Sequence, residues 1–581
     1  MSRPSARRRA GQRARRLVPL VVACALVALA PAPAHAHAIV LATEPAIDEI
    51  VARAPARVVM RFNEPVEIAF GALRVYDSEG ERVDEGTAEH LAGEADAIEV
   101  PLRAGVPDGT YTVSWRVVSA DGHAIEEAFV FHVGEPGANP EGIADRVLEG
   151  EAGAGTGEGV AFGIVRWATF AALLVLAGAA AFAARAWGRD DDDAIDGAFA
   201  RRVRALLSAA WLVAVVGTLA SIVLQGAVAG DVPLSEALSG DVVAEVASTR
   251  FGRVALARVA LLALVAALLP WAARRAGERA PVALAGAALA ATLATPGLGG
   301  HAGTTPPVAL NVVADTLHVC AAAVWVGGLV ALVAAAWPAT ARVAAPERAR
   351  RLAPVVSRFS DAAVVAVAVV VATGLYRSWV EVRALGNLTG TTYGLVLVAK
   401  LAAFAPLLAL GAVNNRWTKP RIEGAAARGD GGRGAVGALR RIVAAEVALG
   451  ALVVAASALL VSIAPARVEA GTGEPVTASV ALGDDRLAVV VDPARVGSNA
   501  VHLTVTTSAG APADVRALGV SFVMPERDIG PLRARARELA PGHFVVQGRH
   551  LSVAGRWRLE VVARRDRFTE ERAFVGFEVA G

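Results

Sequence analysis

The sequence predicts a multi-domain membrane protein: an N-terminal Ig-like β-sandwich of Greek-key type, an eight-helix transmembrane bundle and a C-terminal β-sandwich. Hydrophobic residues make up 55% of the 581 residues and charged residues only 19%, a high apolar share for a soluble chain. Long apolar runs fill residues 161–465, so the excess lies in the middle of the chain. Both flanks show short apolar segments separated by turn residues, which is typical of β structure.

The start of the chain predicts a cleaved secretory leader. Basic residues precede an apolar run at 17–30, and Ala34 and Ala36 form the small-x-small pattern of a peptidase site. We therefore expect residues 1–36 to be removed, which makes His37 the first residue of the mature chain. Its α-amino group and imidazole can then chelate one metal ion, and tetragonal nitrogen and oxygen sites suit Cu(II). Alternatively, His37 merely marks where cleavage falls.

Residues 37–134 predict the first β-sandwich, followed by a linker at 135–159. Its strands are expected at 58–62, 72–76, 97–100, 110–118 and 128–133. Between the last two strands, Asp121 and Gly122 form a hairpin-turn signal. Asp121 and His123 also lie two residues apart, and such side chains face the same way in an extended chain. With two nitrogens from His37, they would complete a square of ligands around Cu(II).

The middle region, residues 160–466, contains eight segments long enough to cross a bilayer. They lie at 160–184, 203–226, 253–271, 281–298, 308–333, 353–376, 393–413 and 442–463. Arginine clusters occupy alternate loops, at 185–204, 274–279, 342–358 and 416–441, and the positive-inside rule places those loops in the cytoplasm. We therefore expect a multi-pass protein of the cytoplasmic membrane with both terminal domains extracytoplasmic.

Ionisable residues inside apolar spans are costly and usually face the bundle interior. They are Arg258, Asp315, His318, Lys400 and Glu446. Asn311, Asp315, His318 and Trp325 recur at spacings that place them on one face of a helix. His301 lies in the short outer loop before that helix, so His301, Asp315 and His318 would form a two-step path for a metal ion. Alternatively, Asp315 pairs with Arg258 or Lys400 and only braces the bundle.

Residues 471–581 predict the C-terminal β-sandwich. Its strands are expected at 476–482, 487–491, 500–506, 515–523, 543–547, 557–563 and 573–579. His502, His543 and His550 are able to bind a metal ion, but we expect them at the surface.

The N-terminal domain resembles the periplasmic copper-binding protein CopC. The resemblance rests on His37-Ala38, Phe62-Asn63-Glu64-Pro65 and a run from Tyr111 through Trp115 to Asp121-Gly122-His123. It implies that His37, Asp121 and His123 bind Cu(II). Outside the leader only Met60 and Met524 are methionines, and thioethers are the ligands that Cu(I) prefers, so we expect no Cu(I) site in this domain.

The membrane region resembles CopD, and the whole chain resembles CopC–CopD fusions of the YcnJ type. The motifs are Thr249-Arg250-Phe251-Gly252-Arg253, Gly300-His301-Ala302, Leu317-His318, Trp325-Val326-Gly327-Gly328, Thr373-Gly374-Leu375 and Arg440-Arg441 with Glu446. The C-terminal domain is similar to the YtkA-like domain through Gly497, Asn499, Met524-Pro525, Gly555 and Trp557. The resemblance implies that copper moves through the membrane.

Together these features predict a protein that captures Cu(II) outside and passes copper through the bundle. The expected partners are the copper ion, the lipid bilayer and an extracytoplasmic copper chaperone, and a formal charge of +2 argues against nucleic acid. The absence of a P-loop pattern argues against ATP-driven pumping, and we expect no enzyme activity. The alternatives are copper sequestration or sensing without transport, a copper monooxygenase-like enzyme, and a membrane haem protein.

Overall fold

The computed structural model describes most of the chain from residue 38 to residue 579. The described ranges are 38, 40–45, 49–62, 64–68, 73–119, 124–134, 156–188, 193–230, 232–275, 278–429, 433–463, 465–466, 476–492, 494–508, 511–540, 542–565 and 569–579. The helical region Ala154–Arg467 forms one compact unit, and the segments His37–Gly153 and Val468–Gly581 form a second. The predicted ligands His37, Asp121 and His123 lie outside the described residues.

Eight long helices in the described residues are apolar enough to cross a membrane, which confirms the predicted bundle. They are α1 Gly157–Arg185, α2 Ala194–Gly230, α3 Arg250–Arg274, α4 Arg279–Leu298, α5 Val308–Ala339, α6 Ala345–Val382, α7 Thr392–Arg428 and α8 Gly434–Leu460. The sixth span is longer than predicted. Because α6 continues to Val382, Arg377 and Glu381 belong to its last turns and not to the following loop.

Helix α5 departs from regular α geometry and packs closely against α1. It contains two π-helical turns, Ala323–Gly327 and Leu332–Ala336. A side chain on Gly178 of α1 would overlap the carbonyl oxygen of Ala323, and one on Gly327 would overlap that of Leu174. Small residues allow such backbone contact between membrane helices, which explains the glycine of the Trp325–Gly328 motif.

The N-terminal domain is the predicted β-sandwich. Its strands are β1 Val40–Glu44, β2 Ile50–Val51, β3 Arg57–Phe62, β4 Val66–Glu67, β5 Leu73–Tyr76, β6 Glu89–His90, β7 Ala97–Pro101, β8 Gly109–Ser119 and β9 Ala124–Val133. One sheet has the order β1-β3-β7-β6 and the other β2-β9-β8-β4, with β5 also paired to β8. Phe62 of the first sheet meets Trp115 of the second edge-on at 5.6 Å, so the core lies between the sheets.

The C-terminal domain is a second β-sandwich. Its strands are β10 Val476–Leu482, β11 Asp485–Asp492, β12 Gly497–Thr506, β13 Ala517–Met524, β14 Ile529–Arg535, β15 Arg537–Ala540, β16 His543–Leu551, β17 Gly555–Arg564 and β18 Glu570–Val579. The sheets have the orders β10-β11-β12-β16-β15 and β14-β13-β17-β18. The sequence did not predict β14 and β15, because a Gly-Pro pair and several arginines interrupt their apolar pattern.

Candidate functional site

Two of the predicted Cu(II) ligands, Asp121 and His123, fall in the sequence between two long paired strands. Strands β8 and β9 pair antiparallel along their whole length, from Gly109 opposite Val133 to Val118 opposite Ala124. The Ser119 hydroxyl at the end of β8 donates to Glu64 Oε1 at 2.6 Å, which ties this end of the hairpin to the neighbouring β3–β4 connection. Asp121 and His123 lie in the segment between the two strands, outside the described residues, so their role as ligands stays a prediction.

A polar cluster lies between α5 and α6. The Tyr376 hydroxyl of α6 donates to Asn311 Oδ1 of α5 at 2.9 Å, and both residues are buried. One turn further along α5, Asp315 Oδ1 lies 3.9 Å from Arg377 Nε of α6. His318 contacts Thr373 of α6. Asn311, Asp315 and His318 therefore share the face of α5 that meets α6, as their spacing predicted.

The hydrogen bonds around Thr373 favour one tautomer of His318. The Thr373 hydroxyl donates its proton to the Val369 carbonyl oxygen at 2.6 Å. Its oxygen lies 2.9 Å from His318 Nδ1, where it can then accept from the tautomer that carries its proton on Nδ1. His318 Nε2 then holds the ring lone pair. A metal-binding histidine commonly has this arrangement, in which its other nitrogen donates to a fixed oxygen.

The charged side chains of the cluster balance one another. Arg377 Nη2 lies 3.0 Å from Glu381 Oε1, closer than its guanidinium comes to Asp315. Lys400 of α7 and His301 also lie within electrostatic range of Asp315. Two cationic side chains thus accompany two carboxylates, so the cluster presents no large excess of either charge to an entering cation.

Asp315 also touches α4, but Arg258 makes a different contact. The Asp315 carboxylate lies against Gly297 near the end of α4, where it leaves no space for a larger side chain. Arg258 Nε instead donates to Thr295 Oγ1 at 2.7 Å. Arg258 is therefore not seen to brace Asp315, whereas Arg377 contacts it and Lys400, the other suggested partner, lies within electrostatic range.

The loop that carries His301 is held against the helices by side chains that donate hydrogen bonds to its backbone carbonyl groups. His301 begins a short 3-10 turn, His301–Gly303, and is buried at 6% exposure. Arg250 Nη2 donates to the carbonyl oxygens of Leu298 and Gly303, at 2.8 and 2.6 Å. Asn311 Nδ2 donates to the Thr305 carbonyl oxygen at 2.7 Å. Arg250, from the predicted Thr249–Arg253 motif, thus positions the loop before α5.

The sequence reading missed the α6 side of the cluster. Thr373 belongs to a motif that was predicted by resemblance, and Arg377 and Glu381 lie beyond the predicted end of the sixth span at residue 376. Their spacing was the available signal, because residues 373, 377 and 381 recur every four positions and so share one helix face. In the part of the chain that the structure describes, no three His, Cys, Asp or Glu side chains come together as a metal site.

Family comparisons cover both the N-terminal domain and the membrane region. Residues 40–134 match the CopC domain. Residues 157–309 match the N-terminal domain of copper resistance protein D-like proteins, and residues 353–460 match copper resistance protein D. The matched ranges end before the C-terminal sandwich, so its YtkA-like character stays a prediction. The matched families are copper resistance families and not enzyme families, as predicted.

Similar proteins and structures were also found. The chain is 25% identical over 558 residues to the copper transport protein CutJ of Bacillus subtilis, covering 93% of this chain and 95% of the relative. It is 33% identical over 89 residues to protein YobA of Escherichia coli K12, covering 15% of this chain and 72% of YobA. The crystal structure of CopC from Methylosinus trichosporium OB3b shares 30% identity, covers 18% of this chain and 98% of its own, and has a TM-score of 0.16. The chain is therefore a multi-pass membrane protein, with eight candidate spans in the described residues, that joins a CopC domain to regions matching copper resistance protein D.

Proposed function

We propose that this protein captures Cu(II) outside the cytoplasmic membrane and passes copper inward through its helical bundle. Support comes from the CopC and CopD matches and from the similarity to a protein named as a copper transporter. The observation that carries the proposal is the His318–Thr373 hydrogen bond, because it presents a metal-binding imidazole nitrogen inside a membrane helix.

Capture falls to the N-terminal domain. His37, exposed as the first mature residue, contributes its α-amino and imidazole nitrogens. Asp121 and His123 contribute from the end of the β8–β9 hairpin, and the four donors suit tetragonal Cu(II). An extracytoplasmic copper chaperone is the partner that would deliver the ion. The C-terminal domain, which we propose is YtkA-like, would lie on the same side, because an even number of spans, as the eight in the described residues, returns the chain to the side where it started.

The path through the outer half of the bundle runs from His301 to Asp315 and His318. His301 lies in the loop before α5. At a rise of about 1.5 Å per residue, Asp315 and His318 lie about 10 and about 15 Å along α5 from Val308. His318 is thus near the middle of a hydrocarbon layer about 30 Å thick. A carboxylate before an imidazole offers an oxygen and then a nitrogen ligand to the passing ion.

Copper accumulation in cells that express the full chain tests the proposal. We expect His318→Ala to lower the initial rate of copper accumulation at least tenfold, because it removes the ligand in the middle of the path. Cys320→Ala, two residues further along α5, is the matched control and should accumulate copper at the unmodified rate. Membrane-protein abundance must be equal in all strains.

One outcome would contradict the proposed path, and a second would contradict transport itself. If His318→Ala accumulates copper like the unmodified chain, His318 is not on the path. If His123→Ala lowers the copper associated with cells while His318→Ala has no effect, the protein sequesters or senses copper without transporting it.

A further inference from the structure

We propose that the C-terminal sandwich contains a second copper site, in which His502 and His543 bind a single Cu(I) ion. The proposal rests on the proposed function, in which copper is the cargo. It concerns the C-terminal domain, whereas the proposed capture site and path lie in the N-terminal domain and the bundle. His502 lies on β12 and His543 on the neighbouring strand β16. Their facing nitrogens, His502 Nδ1 and His543 Nε2, are 3.2 Å apart.

The two rings meet edge to edge. Their centres are 5.4 Å apart and their planes differ by 20°. The distance between the ring centres is greater than the distance between the facing nitrogens by about the width of one ring. Each nitrogen lies about half a ring width from its own centre, so both nitrogens must lie close to the line between the centres. Two lone-pair positions therefore face each other along one axis. A metal ion placed between them would have two nearly opposite ligands.

This donor set favours Cu(I) over other metal ions. Cu(I) has a filled d shell and is stable with two ligands in a line, whereas Zn²⁺ takes four tetrahedral ligands and Cu(II) a tetragonal set. Among the residues that the structure describes, no third His, Cys, Asp or Glu joins the pair. Metal–imidazole bonds of about 2.0 Å require the nitrogens to move to about 4 Å apart, which is a small side-chain adjustment.

The pair is partly covered, and His543 is its buried member. His543 is only 3% exposed, which corrects the expectation that it lies at the surface. A hydrogen bond between the facing nitrogens uses one proton. That proton moves to the far nitrogen of its ring when copper binds, so no net proton is released.

The side chains that stand beside His502 on the sheet are apolar. On β11, β12 and β16, Val490, His502 and Val545 stand opposite one another on the outer face of the sheet, and both valines are buried. A buried charge is costly among apolar side chains, so these walls favour a singly charged ion over a doubly charged one.

Binding of Cu(I) to the purified full-length chain tests the site. The protein, in the His123→Ala background, is titrated anaerobically with Cu(I) in competition with a chromophoric Cu(I) chelator. We expect His502→Ala to bind one Cu(I) fewer per chain. His550→Ala is the matched control from the same domain, because its ring stacks on Phe522 at 5.0 Å, and it should bind the unmodified number. X-ray absorption should show two nitrogen ligands, and this signature should disappear with His502→Ala.

A second variant separates loss of the ligand from loss of the fold. His502→Asn keeps a hydrogen-bonding side chain beside His543 but removes the imidazole, so it should retain the melting temperature and still lose one Cu(I). Unchanged Cu(I) stoichiometry in both His502 variants would overturn the proposal. Because binding is measured on purified protein, a chain that binds this Cu(I) but fails to accumulate copper in cells would refute transport and leave the site standing.

Discussion

Thr373 gives the tautomer of His318 a physical cause. The hydroxyl donates a hydrogen bond to the Val369 carbonyl oxygen and can accept one from His318 Nδ1. A side chain of the same shape without the hydroxyl would remove this acceptor and leave the ring held only by its hydrogen bond with the Val370 backbone. The residue that contacts the imidazole, and not only the imidazole, therefore determines how well a copper ion is received.

We expect Thr373→Val to slow copper accumulation by about 10-fold, because loss of a hydrogen bond behind a metal-binding histidine typically weakens binding by 10- to 100-fold. Thr373→Ser restores the acceptor and should recover most of the rate. Both variants are compared in the cell accumulation assay at equal protein abundance. Equal rates for the valine and serine variants would show that the hydrogen bond does not matter.

Among the structural elements, the contact between α1 and α5 depends on glycine. Gly178 and Gly327 each face a backbone carbonyl of the other helix and leave no room for a Cβ. Within lipid the hydrophobic effect does not drive helices together, so membrane helices depend on close packing of this kind for their association. The contact fixes the position of α5, and therefore of the cluster that α5 shares with α6.

Gly178→Ala should destabilise the bundle by about 1–3 kcal/mol, the range typical of added atoms in a well-packed interior. Gly163→Ala is the matched control on α1, because a Cβ there has no neighbour within 4 Å. Thermal unfolding in detergent should show a lower midpoint for the first variant and an unchanged or slightly higher midpoint for the second, since alanine favours helix. Equal midpoints would contradict the close contact.

For the whole molecule, hydropathy predicted the architecture but not the polar contacts. Eight apolar runs were sufficient to place the spans, because length and composition decide whether a helix can cross a bilayer. The predicted end of α6 at residue 376 was wrong, because the charges of Arg377 and Glu381 end the apolar run. In the structure the two side chains pair with each other within the helix. His543 was expected at the surface because the strand pattern does not show what covers the outer face of a sheet.

The orientation of the chain is a prediction at the same scale. In a Cys320→Ala background, a cysteine placed at Ser235, in the connection between α2 and α3, should react with a membrane-impermeant thiol reagent on intact cells. A cysteine at Ala341, between α5 and α6, should react only after the membrane is opened. Both positions are exposed, so a difference in labelling reports which side of the membrane each position faces. The reverse labelling would place the terminal domains in the cytoplasm.

The two π turns of α5 have a consequence for any ion that travels beyond His318. Each turn inserts one extra residue and so swings the rest of the helix by about 100°. The side of α5 that meets α6 at Asn311 and His318 is therefore no longer the side it presents deeper down. Onward movement would therefore need ligands from another helix. Glu446 of α8 is a candidate, because it is 1% exposed and hydrogen-bonded to Asn414 in the π turn of α7.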